Sequence, residues 1–171
     1  MKKTLALILT AVLIALLIIP AGTALADQAF HTVSLPLSLT TAGALDGHTL
    51  RNGMVIRTHA NGPINYAIGL YKLNGAKPDT TYDICWEFAE FGWLPIYEYH
   101  SIQTDKNGNG NLHFKITPAH VSELGLNNST LHAKVVFIAG GTPWPIPGYP
   151  FSTIVGGVVV FETEVFEIYF D

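Results

Sequence analysis

From residue 31 onward the chain alternates apolar and polar positions. In 31–40, Val33, Leu35, Leu37 and Leu39 share one face, and Thr32, Ser34, Ser38 and Thr40 share the other. That period of two marks a half-buried strand. Pro36 stands on the polar face, where its missing N–H argues for an edge position. Residues 41–52 hold Gly43, Asp46 and Gly47 and read as a loop. Alternation resumes in 54–59 and 64–73 around the turn signal Asn61-Gly62-Pro63, so 53–73 is expected to be a hairpin. Further strands are expected at 80–88, 96–104, 111–116 and 131–139. Residues 153–170 are β-rich, with Gly156-Gly157 as a dividing point. Thr117 and Pro118 can open a short helix near 118–125 that Gly125 closes, and 140–150 reads as a Pro/Gly loop. The pattern predicts an all-β, antiparallel two-sheet β-sandwich of eight or nine strands with at most one short helix.

Residues 1–26 break this pattern. Lys2 and Lys3 precede an unbroken apolar run over 5–19, followed by Pro20 and Ala24-Leu25-Ala26. This is the arrangement of a cleaved secretory signal. The run is shorter than the roughly 20 residues of a spanning helix, and an uncleaved anchor is the alternative. The expected organisation is therefore a signal peptide at 1–26 and a single β-sandwich domain at 27–171, secreted, extracellular or at the cell surface. Beyond Ala26 no second segment of membrane length follows, so no span is expected after signal removal.

Loss of Lys2 and Lys3 takes the formal net charge from −4 to −6. With that acidic balance and no basic cluster, nucleic acid is excluded as an expected partner. Cys85 is the one cysteine, so stability must come from packing without internal disulfides. Its place in the apolar 82–88 strand suits a buried small hydrophobe. A disulfide to another chain is the other possibility.

Two short motifs carry family resemblances. Pro78-Asp79-Thr80-Thr81-Tyr82 resembles the P-x-T-x-Y element of fibronectin type III and related immunoglobulin-like domains. There the tyrosine hydroxyl bonds back to nearby backbone, which implies a structural Tyr82. Thr104-Asp105-Lys106-Asn107-Gly108, followed by Leu112 and Phe114, resembles the T-D-x-x-G turn of transthyretin-like and carboxypeptidase-regulatory-like exported sandwiches. The two families differ in topology and share a two-sheet β architecture. Together they imply an immunoglobulin-like sandwich.

The same turn places Asp105, Asn107 and Asn109 at positions 1, 3 and 5, with Gly110 at 6, as in the first half of a calcium loop. Position 12 is Ile116 where a bidentate Glu is needed. Ca2+ at these residues is the one cofactor considered, and a plain hairpin turn explains the same residues. Seven histidines (31, 48, 59, 100, 113, 120 and 132) show no zinc spacing, although His100 and His113 lie on neighbouring expected strands. Neither a G-x-S-x-G elbow, an H-E-x-x-H pair nor a phosphate loop occurs, so no catalysis is expected. Glu87, Glu90 and Glu98 supply the carboxylates that a glycosidase would need, and equally suit a solvated face.

Aromatic residues are the better candidates. Trp93 follows Phe91-Gly92, and Trp144 and Tyr149 lie in the proline-stiffened 142–151 segment, suited to stacking on a sugar or anchoring a protein contact, or to capping the sandwich. Asn127 and Asn128 begin overlapping N-x-S/T sequons for glycosylation. The strand bearing Val33, Leu35, Leu37 and Leu39 is a candidate assembly strand that could complete a neighbour's sheet. The expected function is a structural, adhesive or self-assembling surface module, with protein, glycan or copies of itself as partners. A carbohydrate-binding module using exposed aromatics is the alternative.

Overall fold

The described residues form eleven antiparallel strands: β1 (His31–Leu39), β2 (Asn52–His59), β3 (Ala67–Asn74), β4 (Thr81–Phe88), β5 (Leu94–Gln103), β6 (Gly110–Ile116), β7 (Ser129–Ala139), β8 (Thr142–Pro145), β9 (Ser152–Val155), β10 (Val158–Thr163) and β11 (Phe166–Phe170). This computed structural model describes residues 31–59, 67–123, 125–126, 129–146 and 152–170. The expected signal at 1–26, Asn127, Asn128 and Tyr149 lie outside the described residues. Two short helices, α1 (Thr41–Leu45) and α2 (Pro118–Glu123), and a 3-10 turn at Ala89–Phe91 complete the elements. Among the described residues no helix is long and apolar enough to cross a membrane.

The hydrogen-bonded order is β6-β3-β2-β1-β10-β7-β4-β5-β9-β8, with β11 also on β7. β1 changes partner along its length. Residues 31–36 pair with β2 and residues 37–39 with β10. Pro36, which cannot donate to a ladder, sits at the last position before the exchange. The candidate assembly strand is thus part of the chain's own sheet. Val33 and Leu39 are exposed, Leu35 is half-buried and Leu37 is buried.

Because β1 turns from one partner to the other, the sheet curls and its two halves face each other across one core. Val55, Tyr71, Leu73 and Phe114 come from the β6-β3-β2 half, and Tyr82, Ile84, Trp86, Val135, Phe137 and Phe161 from the β10-β7-β4 half. Tyr71 joins them. It stacks on Phe114 at 4.5 Å, meets Phe137 edge-on at 5.8 Å, and its hydroxyl accepts a 3.2 Å hydrogen bond from Trp86 Nε1. Each aromatic pair contributes about 1 kcal/mol beyond area burial, and the bond satisfies two polar groups that the core would otherwise strand.

Three features differ from the sequence expectation. Residues 142–145, expected as loop, form β8, which takes its prolines because it is the last strand of the path and pairs only with β9. The C-terminal β segment is split at Glu164-Val165 into β10 and β11, both on β7, and this split together with β8 raises the strand number from eight or nine to eleven among the described residues. Within the expected 41–52 loop, Thr40 caps one helical turn by accepting from Gly43 N–H at 2.9 Å. The expected short helix is present as α2, with Gly125 left-handed just beyond it.

The two sequence motifs meet in space. Thr104 Oγ1, 2% exposed, donates to the Lys77 and Thr80 carbonyl region and accepts from Thr80 N–H at 3.0 Å. Ala76 N–H donates to Gly108 O at 2.9 Å and Asp79 N–H to Asp105 O at 3.2 Å. Tyr82, fully buried, bonds His48 Nδ1 at 3.1 Å, and burial raises its phenol pKa against the hydrogen bonds from the Lys77 backbone and Thr80. At Gly108 the left-handed φ of 75° coincides with a Cβ direction that runs into the Ala76 carbonyl oxygen. Gly108→Ala is therefore expected to destabilise by about 2–4 kcal/mol in urea unfolding, from strain and overpacking together; a loss under about 0.5 kcal/mol contradicts this docking.

Candidate functional site

Alternation along β4, β7 and β10 sends every second side chain away from the core. Cys85, Val136, Ile138 and Val159 form an apolar patch on that outer face, and the β8–β9 hairpin covers it through Ile154. Cys85 is buried there, as a small hydrophobe. The other end of the same face is polar and uncovered by the hairpin.

At its centre Lys134 Nζ donates to Glu162 Oε2 at 2.8 Å and lies 3.1 Å from Glu87 Oε2. Glu87 stands directly across from Lys134 in the β4–β7 register and is only 6% exposed. Burial alone would lower the lysine pKa, but hydrogen bonds to Glu162 and Glu87 outweigh it and hold the ammonium above its usual range. The Lys134 ammonium also lies 5.6 Å from the centroid of the Trp93 ring, a cation–π placement. Beside this group, Glu90 accepts from the His132 backbone N–H at 3.1 Å and pairs with His132 Nδ1 at 3.0 Å. That side-chain bond holds the Glu90 carboxyl below its usual range.

Trp93 reaches this place through an unusual backbone. Gly92 and Trp93 both have left-handed φ, 70° and 59°, where the 3-10 turn folds back and Trp93 N–H bonds Phe88 O at 3.0 Å. For a bulky residue this conformation costs about 1–2 kcal/mol. The ring ends 38% exposed. Trp144 is 61% exposed on β8, whose four residues are all exposed. It pairs with Thr153, whereas the neighbouring Ile154 turns inward to the covered patch, so Trp144 is displayed on the hairpin's solvent side.

Other sequence candidates fall elsewhere. Asp105 Oδ1 accepts from Asn107 N–H at 2.8 Å and Asn109 N–H at 2.9 Å, and these amides, Asn109 first, hold its carboxyl below the usual range. The carboxylate thus shapes its own turn, and a calcium ion there would share an oxygen already accepting twice. His100 and His113 line one cleft, apart from the tryptophans. Glu87 is engaged by Lys134 and Glu90 by His132. Asp46, His48 and Tyr82 form an acid–imidazole–hydroxyl chain, but its hydroxyl end is fully buried and reaches no solvent.

Lys134 was not singled out from sequence, and His132 and Glu162 were not placed at a common site. Their signal is a charged residue at an outward position of an otherwise apolar strand, as Lys134 is in 131–139. Comparison with protein-family models, curated proteins and solved structures finds no match.

Lys134→Met leaves the buried Glu87 and its neighbour Glu162 without a counter-charge. The expected loss is about 2 kcal/mol in chemical denaturation, less than for a fully buried pair because Lys134 is partly exposed; unchanged stability contradicts the arrangement. For Asp105 the lowered folded-state pKa means its contribution is present above the unfolded value and is lost as pH falls through the folded one. Asp105→Ala should lower the melting temperature at neutral pH, with the gap to the parent closing below about pH 4. A gap that does not narrow as the pH falls contradicts the carboxylate's role.

Proposed function

We propose that the protein is an exported, non-catalytic β-sandwich module with an adhesive role, binding a partner at the cell surface through aromatic residues on the outer face of its sheet. The observation that carries this reading is Trp144, 61% exposed between two prolines on an outermost strand. A ring that served to cap the core would be buried. A ring held outward on a stiffened strand loses little entropy when a partner covers it. The basic, apolar and small-residue order of residues 1–26 supports export. The immunoglobulin-like, two-sheet description of the fold belongs to the same proposal. It is supported by the two facing halves of the core and by the buried Tyr82 within P-x-T-x-Y. Self-association through β1 is a subsidiary part of it, supported by the exposure of Val33 and Leu39.

Trp93 favours a second reading, carbohydrate as the partner. Its partly exposed ring lies beside Lys134, Glu87 and Glu162. A sugar offers an apolar face to an aromatic ring and hydroxyls to flanking charged groups, and backbone strain at Trp93 is the kind of cost that functional positions carry.

Trp93→Ala and Trp144→Ala, assayed on a glycan array and by adhesion to cells, separate these readings. Loss of adhesion of about tenfold or more in Trp144→Ala, with an unchanged melting temperature, is the expected result. Loss of glycan binding in Trp93→Ala selects carbohydrate. Full binding with a large melting loss in both variants refutes the display of these rings.

A further inference from the structure

A cleft lies away from Trp93 and Trp144. Ile56, Ile68 and Leu70 line this cleft of about 660 Å³ on β2 and β3, within the size of small-molecule sites. Phe114 packs behind it on the core face, its ring lying where a side chain on Gly69 would stand. Around these apolar groups stand His100 from β5 and His113 and Lys115 from β6. Among the described residues the lining thus has three nitrogen-bearing side chains and no carboxylate, in a chain whose net charge is −4.

His100 adds an independent observation. Its Nδ1 is buried and finds no hydrogen-bond partner among the described residues. A buried ring nitrogen without a partner costs free energy, and the same residue lines the cleft. His113 and Lys115 are exposed and alternate along β6.

We propose that this cleft binds a small monocarboxylate with an apolar body, the carboxylate meeting the His100, His113 and Lys115 nitrogens and the body lying on Ile56, Ile68 and Leu70. Charge complementarity selects the acid over a neutral or cationic ligand, and the apolar floor selects a hydrocarbon body over a sugar.

Titration with octanoate, and separately with octan-1-ol, followed by amide NMR on the protein obtained from the full chain, tests the assignment. Octanoate is expected to saturate with a Kd of about 0.1–1 mM and to shift amides of β2, β3 and β6. The alcohol should bind about tenfold more weakly or not at all. A His113→Gln, Lys115→Gln double variant changes exposed residues only, and should keep its fold while losing about tenfold in octanoate affinity. Absence of saturable shifts, equal binding of alcohol and acid, or unchanged affinity in the double variant each overturns the proposal. Trp93→Ala and Trp144→Ala should bind octanoate unchanged, so failure here is distinguishable from failure of the adhesive reading.

Discussion

The hydroxyl of Thr104 is the point on which the arrangement of the central strands depends. Buried at the end of β5, it bonds to the Lys77 and Thr80 backbone ahead of β4. The turn that follows docks on the same stretch through Gly108 and Asp105. β4, β5 and β6 are consecutive in sequence, yet β4 and β5 belong to one half of the curled sheet and β6 to the other. The chain has to cross the open side of the curl between β5 and β6, and the docked 104–109 turn is what fixes that crossing. A loop of free backbone there would leave buried amides and carbonyls without partners. Here Thr104 and the Gly108 carbonyl satisfy them.

Once the crossing is held, the two halves can share a core, with Tyr71 and Trp86 bonded across it. The outer face of the β10-β7-β4 half then becomes a separate surface with its own division of labour. Its apolar end is consumed by the β8–β9 hairpin, and its polar end is left to Lys134, its two glutamates and Trp93. The strain at Trp93 makes sense in that setting. Leaving the left-handed region would relieve backbone crowding, but it would take the ring away from the lysine.

Much of the fold was legible because its rules are local. Alternation in 31–39, 131–139 and the 53–73 hairpin marked strands whose two faces differ in burial, and Pro118 with Gly125 marked α2. What stayed hidden was set by distant partners. Nothing near Pro143 and Pro145 says that an outermost strand will accept them, since that depends on where β9 lies. The change of partner by β1 is visible only as a proline, and an edge and a partner exchange both tolerate one. Among site residues, Trp93 and Trp144 stood out as large rings beside Gly and Pro. Lys134 did not, because its meaning comes from Glu87 on a strand more than forty residues away. The motifs at 78–82 and 104–108 were each readable as turn chemistry, but their contact with each other was not.

Native-state hydrogen exchange tests the docked crossing most directly. If Thr104 and the 104–109 turn hold the two halves of the sheet together, the amides of Ala76, Thr80 and Thr104 exchange only through global unfolding. Their opening free energies then match those of core amides in β7 such as Val135 and Phe137. Exchange of Ala76, Thr80 and Thr104 by local opening, orders of magnitude faster than β7, would show that the curl is held elsewhere and would contradict the account.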